Sequence, residues 1–182
     1  MDTYVLKLPE SLYSPAAIEY FDGTWNPGTI TNGPDTYTVL RDFTWNITIT
    51  NTSDAFLVAG TIKGAVAGEC GRCLDEFTLD IDGVVEGYFA MDESQTEVPD
   101  ELGPDELMTL TNGDSIDVEP LLFAAVLLEL PLVALCSEDC KGLCCGCGAN
   151  LNHEPCTCDA DAHDDFAPEN PFAVLSQLKF DE

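Results

Sequence analysis

The sequence predicts an α+β fold: an antiparallel β meander or partly closed barrel packed on one buried helix, followed by a cysteine-rich C-terminal module. Three observations predict it. Residues 36–90 alternate apolar and polar side chains with a period of two, the pattern of half-buried strands. A segment beginning near residue 118 is apolar almost all round and stops at a proline, the pattern of a buried helix. Six of the chain's nine cysteines fall between residues 140 and 158, in the run CKGLCCGCGANLNHEPCTC. The domain reading is therefore 1–135 for the sheet with its helix at 118–130, 136–158 for the cysteine module, and 159–182 for an acidic spacer and a C-terminal helix.

The first strand places Tyr37, Val39, Phe43, Trp45, Ile47 and Ile49 on one face and Thr36, Thr38, Asp42, Thr44, Asn46, Thr48 and Thr50 on the other. Asn51 to Asp54 reads as a turn. A second strand aligns Val58, Ile62, Val66 and Cys70, and a third aligns Phe77, Leu79 and Ile81 and runs on through Val85 and Phe89. Aromatic, threonine and β-branched content agrees with strands. Between the second and third strands lies CGRC, Cys70 to Cys73. Gly71 at the first central position suits a two-residue type II′ hairpin, with the thiols facing each other across the strand ends. Residues 92–106 carry seven acids and no base, with Pro99, Gly103 and Pro104, and read as a linker. Asp117 is the expected N-cap of the buried helix, Pro120 sits in its first turn, and Pro131 ends it. In the tail, Asn170 and Pro171 open an amphipathic helix whose Phe172, Leu175 and Leu178 recur on one face.

Composition restricts the function classes. The chain carries 34 acidic against 6 basic residues, a net charge of −28. Affinity for naked nucleic acid comes largely from Lys and Arg neutralising phosphates, so bare RNA or DNA is a poor main partner. A basic protein is the natural electrostatic complement. The longest apolar run, PLLFAAVLLELPLVAL, is broken by Glu129 and Pro131 and is too short to span a bilayer. The opening residues have neither a basic n-region nor an apolar h-region. The expectation is a cytoplasmic protein without a membrane partner. Thiols stay reduced there, so nine cysteines point to metal or redox chemistry rather than disulfides.

Residues 140–165 are rich in Gly, Asn and Asp and hold too little apolar surface to offset the entropy of ordering them. A structural zinc ion supplies about 10–16 kcal/mol of apparent binding energy, enough to order such a segment. Structural zinc takes four Cys or His ligands in a tetrahedron. Cys144 and Cys147 form a knuckle pair, with Gly148 after them to permit a positive φ. Cys156 and Cys158 are two apart and point the same way in an extended segment, which completes one set of four. Cys136 and Cys140 share one face of a helical turn; with Cys70 and Cys73 they make a second set, tying the hairpin tip to the end of the buried helix. Cys145 is left over, His153 is an alternative ligand, and a single site of Cys140, Cys144, Cys147 and Cys156 is the competing partition. The spacing Cys140-x3-Cys144-x2-Cys147 also matches an iron–sulfur motif of radical enzymes, but those need a large barrel for which this chain has no room. Arg72, at the hairpin tip amid few other bases, is a candidate partner-binding residue, its competing role being a hydrogen bond to nearby carbonyls.

Three blocks, GECGRCLDEF, SIDVEPLLFAAVLLELPLVALCSEDCKGLCCGCGANLNHEPCTC and NPFAVLSQLK, occur in the order and spacing of the YceD family, the large ribosomal RNA subunit accumulation proteins, which the chain resembles over roughly residues 60–180. Cys145 departs from the family pattern by replacing a proline between the knuckle cysteines. The resemblance implies a role in the synthesis, processing or stability of 23S ribosomal RNA, hence large-subunit assembly, and implies no catalytic residues. The residues agree: there is no Ser/His/Asp set, no phosphate-binding glycine loop, and only two histidines. The expected partner is a large-subunit component, a basic ribosomal protein or a protein–RNA intermediate, with zinc holding a recognition surface rigid. A redox-sensing zinc protein that releases metal on oxidation is the alternative. A metal-dependent nuclease is disfavoured because a four-cysteine site leaves no open coordination position.

Overall fold

The computed structural model describes residues 4–91 and 107–158. The linker expected at 92–106 and the acidic spacer and helix expected at 159–182 lie outside the described residues. The chain divides into two compact units: Met1–Gly68 with Phe77–Ala134, and Glu69–Glu76 with Leu135–Glu182. The tip of the central hairpin groups with the cysteine segment.

The first unit contains β1 (Val5–Lys7), a 3₁₀ turn (Glu10–Tyr13), β2 (Ile18–Trp25), β3 (Thr29–Asn32), β4 (Asp35–Asn51), β5 (Ala55–Glu69), β6 (Glu76–Ala90), β7 (Leu107–Thr109), β8 (Ser115–Asp117) and α1 (Glu119–Glu129). Glu69 and Glu76, which end β5 and begin β6, group with the second unit. The six-stranded sheet runs in the order β2-β4-β5-β6-β7, with β3 also paired to β4, while β1 and β8 form a separate pair. The meander expected over 36–90 is β4, β5 and β6. The path of the sheet ends at β2 and β7, so it does not close into a barrel. β7 lies parallel to β6, which a meander alone does not predict.

Alternation builds the core. Along β4, Tyr37, Phe43, Trp45, Ile47 and Ile49 are buried while Thr36, Thr38, Thr44 and Asn46 face out. The register shifts between Val39 and Arg41 and again between Arg41 and Thr44, two irregularities of the bulge type that bend a strand and leave side chains such as Val39 only half-buried. Val58, Ile62 and Val66 of β5 and Ile81, Val85 and Phe89 of β6 complete the inner face. Buried Asn51 is satisfied: its amide donates to the Leu12 carbonyl at 2.8 Å and its oxygen accepts the Ser53 N–H at 2.7 Å.

α1 lies on that face. The helix begins one residue later than expected, with Val118 at the N-cap, yet Asp117 still accepts the Glu119 N–H at 3.1 Å and satisfies one of the orphan donors of the first turn. It ends at Leu130, whose backbone is extended, just before Pro131. Leu121, Leu122, Ala125 and Val126 are buried against the sheet. A Cβ built on Gly83 of β6 would come within 2.8 Å of the Ala125 carbonyl oxygen, so glycine there is what lets helix and strand backbones approach. Burial is one-sided, contrary to the all-round burial the composition suggests: Leu128 is 84% exposed. A single sheet covers one flank of a helix, and the apolar residues on the other flank are left at the surface.

Candidate metal centres

Both cysteine clusters are built inside the second unit, and both start from the same turn. At the tip between β5 and β6, the Cys70 N–H donates to the Asp75 carbonyl at 2.9 Å and the Leu74 N–H returns to the Cys70 carbonyl at 2.9 Å. In the cysteine segment, the Cys144 N–H donates to the Ala149 carbonyl at 2.8 Å and the Gly148 N–H returns to the Cys144 carbonyl at 2.9 Å. The residue after each second cysteine has a positive φ, 63° at Leu74 and 73° at Gly148. The two CxxC motifs are thus one knuckle used twice. This corrects the turn type of the hairpin expectation: a type II′ turn needs positive φ at Gly71, but the positive φ falls on Leu74.

The first cluster gathers Cys70, Cys73, Cys136 and Cys140, and the second gathers Cys144, Cys147, Cys156 and Cys158; within each, all four sulfurs lie within 4.8 Å of one another. Four thiolates about 2.3 Å from a tetrahedral metal sit about 3.8 Å apart. In the first cluster Cys70 and Cys140 are 3.8 Å apart and Cys73 and Cys136 are 3.6 Å apart. In the second, Cys144 lies 3.8 Å from Cys158, Cys147 lies 3.9 Å from Cys156, and the 3.2 Å between Cys144 and Cys156 is shorter than the tetrahedral spacing. The donor set and the spacing fit a tetrahedral metal in both. None of the nine cysteines is in a disulfide. Cys145, the exposed extra thiol, stands outside both clusters, and the competing single site is not assembled, because Cys140 belongs to the other four.

The knuckles also prepare their sulfurs electrostatically. Burial pushes the Cys70 thiol up, but the backbone N–H groups of Cys136, Cys73 and Arg72 bonded to its sulfur outweigh it and bring it down to about 6. Cys144 is likewise lowered to about 6, by the Cys147 N–H first and then by the Cys156 thiol and the Gly146 N–H. Cys140 is lowered, chiefly by the Asn152 amide. Burial raises Cys73, and the neighbouring Cys147 thiol raises Cys158. Each knuckle therefore offers one sulfur as the first thiolate, with backbone amides as its stabilising dipoles.

Polar side chains from the loop between Cys147 and Cys156 reach the surroundings of the first cluster. Asp75, just after the first knuckle, accepts from the Asn150 amide at 2.8 Å and meets the His153 Nε2 at 2.9 Å and the Cys73 thiol at 3.4 Å. The Asn150 amide is the first of the causes that hold its carboxyl below the usual range, followed by Cys73 and His153. The Asn152 amide donates to the Cys140 sulfur at 3.3 Å, and its oxygen accepts the Lys141 N–H at 2.8 Å. His153 is thus engaged with a carboxylate and belongs to neither group of sulfurs. Arg72 donates through Nη1 to the Cys140 carbonyl at 3.1 Å and to the Glu138 carbonyl at 3.5 Å, so its guanidinium braces the segment between Cys136 and Cys140. Sequence reasoning nominated none of Asp75, Asn150 and Asn152; the signal was the NLN run inside the quoted cysteine block, which only the fold connects to the hairpin.

A family model described as "Large ribosomal RNA subunit accumulation protein YceD" matches residues 58–179, a stretch that includes every clustered cysteine. The chain belongs to the YceD family. Among curated proteins, this YceD-family chain is 34% identical over 110 residues to uncharacterised proteins of Mycobacterium bovis and Mycobacterium tuberculosis, covering 60% of this chain and 52% of each relative. The chain therefore spans about half the length of these relatives. It is also 41% identical over 49 residues, 27% of this chain and 15% of the relative, to a chloroplastic protein of Arabidopsis thaliana named as a homologue of the large ribosomal RNA subunit accumulation protein. No solved structure gives a significant match. Among the described residues, no helix is long and apolar enough to cross a membrane.

Proposed function

We propose that this YceD-family chain is a non-catalytic factor in the assembly of the large ribosomal subunit, acting on the synthesis, processing or stability of 23S ribosomal RNA, with two zinc ions ordering its recognition module. The observation that carries the reading is the family match over the stretch that holds both knuckles. Cys70, Cys73, Cys136 and Cys140 would hold one ion and Cys144, Cys147, Cys156 and Cys158 the other; zinc bound this way supplies structural rigidity, since four thiolates leave no position for substrate. Thiolate softness and tetrahedral spacing favour zinc over the harder divalent ions. The partner is a basic ribosomal protein or a protein–RNA intermediate, because a −28 chain repels naked phosphate. Arg72 keeps a place in this proposal as the residue that aligns the first knuckle for recognition. Elemental analysis should find two zinc ions per chain, and a low-salt pull-down should recover large-subunit components; recovery of none would sink the assembly role.

Partial exposure of the second cluster favours one further reading. Cys147 is exposed and Cys156 and Cys158 are half-buried, so a peroxide could reach these thiols. Two thiolates would give up two electrons to form a disulfide, peroxide would be reduced to water, and the metal would leave, making the second cluster a redox sensor. Metal content and thiol counts before and after peroxide separate this from a static site.

A further inference from the structure

The outer face of the sheet, opposite the face that carries α1, breaks its own pattern at one corner. An antiparallel sheet covered on one side keeps polar side chains on the other. β4 obeys, with Thr44, Asn46, Thr48 and Thr50 facing out. The strand register then sets two rows side by side. Ile18 of β2 pairs with Thr50 of β4, which pairs with Leu57 of β5; Tyr20 pairs with Thr48, which pairs with Ala59. Ile18 is 50%, Tyr20 77% and Leu57 42% exposed, with half-buried Thr48 and Thr50 between them. On β6, the 2.8 Å ion pair between Lys63 and Asp82 puts Asp82 on the same face, and strand alternation adds Val84, 59% exposed, and Glu86.

Charge says what can cover this corner. The face's two bases, Arg41 and Lys63, are already engaged by Asp80 and Asp82. Asp22 of β2 and Glu86 of β6 flank the apolar rows and have no basic partner among the described residues. A second copy of the chain would bring another net charge of −28 onto the first, and an anionic lipid surface would be repelled in the same way. A cationic protein segment meets both the apolar rows and the flanking carboxylates, and an exposed tyrosine is the residue type most suited to anchor such a contact.

We propose that this corner of the sheet docks a cationic protein segment whose apolar side chains seat among Ile18, Tyr20, Leu57 and Val84 while its Lys or Arg side chains meet Asp22 and Glu86. The inference deepens the assembly reading, and rests on it, by giving the basic partner a surface.

The test uses the full chain with its metals. Two probes are titrated at low salt: a synthetic peptide alternating Lys and Leu, and the RNA-free proteins of the large ribosomal subunit. The variant Tyr20→Ser/Leu57→Ser leaves the charge unchanged, so any loss it causes belongs to the surface and not to the overall field. The control, Leu128→Ser/Leu132→Ser, removes a comparable exposed apolar pair at the end of α1. Binding of both probes should weaken about tenfold or more in the first variant and stay near wild type in the control. Peptide binding that is equal in all three proteins, or lost only in the control, overturns the proposal. So does covalent footprinting in which Tyr20 is already protected in the free monomer, protection that grows with protein concentration, or binding to anionic vesicles that the first variant abolishes. If the peptide behaves as expected while no large-subunit protein is retained, the surface stands and the ribosomal reading falls; if large-subunit proteins bind both variants alike, the reverse holds.

Discussion

Gly148 gives the cleanest test of the knuckle. Its φ is 73°, and a Cβ built there meets no atom within 4 Å, so Gly148→Ala changes only backbone energetics. Holding an L-residue in the left-handed region costs about 1–2 kcal/mol. Alanine also restricts the unfolded chain, which offsets about 0.4–1 kcal/mol of that. The net loss is about 1 kcal/mol, and because metal capture and ordering of the segment are one equilibrium, it should appear as a roughly fivefold weaker metal affinity at the second cluster. Leu74 occupies the equivalent place in the first knuckle and is 57% exposed. Leu74→Gly removes the same strain, adds about 0.5–1 kcal/mol of unfolded-state freedom, and loses roughly 1 kcal/mol of partial burial, so it should be close to neutral. Chelator titrations of the cobalt-substituted protein, followed by thiolate-to-metal absorbance, resolve the two, with Cys156→Ser/Cys158→Ser reporting the first cluster alone. An unchanged second-cluster affinity in Gly148→Ala, or a tenfold tighter first cluster in Leu74→Gly, would refute the equivalence of the knuckles.

Asn152→Ala removes the amide that orients the Cys140 sulfur, and the same titration should show the first cluster weakened about tenfold to hundredfold. Cys70 and Cys144 are each held down to about 6, so their thiolates persist above that pH and are lost as pH falls through it. Metal occupancy at a fixed buffered metal concentration should drop across the same window, and more steeply than for one proton, because Cys73 and Cys158, both raised, must also lose their protons to solvent before they bind the metal. Gly83→Ala forces a methyl to within 2.8 Å of the Ala125 carbonyl oxygen; overpacking of that kind costs about 1–3 kcal/mol, and calorimetry should show the first unit melting several degrees lower with metal affinity unchanged.

Much of the first unit was legible because period-two alternation is a direct image of one buried face: Tyr37, Phe43, Trp45, Ile47 and Ile49 lie where the pattern put them. The buried helix was legible in position but not in depth. Composition reports that α1 is apolar, and only the layer count of the fold decides that Leu128 stays in water. β7 escaped because three residues, Leu107–Thr109, carry no periodicity and owe their strand to β6 alone. At the clusters, spacing suggested the pairs, but Cys136 and Cys140 were joined to Cys70 and Cys73 only because neither pair had a local partner; the fold gathers these four sulfurs within 4.8 Å of one another. The turn at Cys70 was not legible: Gly71 is a plausible positive-φ residue in sequence, and tertiary demand moved that conformation to Leu74. Asp75, Asn150 and Asn152 were illegible for the same reason, because a carboxylate and an amide separated by 75 residues meet only after the chain has folded.

The second unit has a composition that makes its dependence on metal testable without any partner. Among its described residues the buried side chains are Cys70, Cys73, Cys140 and Cys144, and the described leucines, Leu74, Leu135, Leu143 and Leu151, are exposed or only half-buried. The buried interior of its described part is therefore sulfur. Four small thiols bury too little apolar area to offset about 1–2 kcal/mol of backbone entropy for each ordered residue, and thiolates crowded within 4.8 Å repel one another unless a cation sits among them. The first unit has the opposite make-up, with Trp25, Phe43, Phe56 and Ile62 fully buried. Removing metal with a strong chelator under reducing conditions should consequently abolish protection from amide exchange over 136–158 and at the hairpin tip, Glu69–Glu76, while β4, β5 and α1 stay protected. Protease should then cut first within 136–158. Equal protection of that stretch with and without metal would mean that something other than sulfur-bound ions orders it, and the assignment of both clusters as structural metal centres would be wrong.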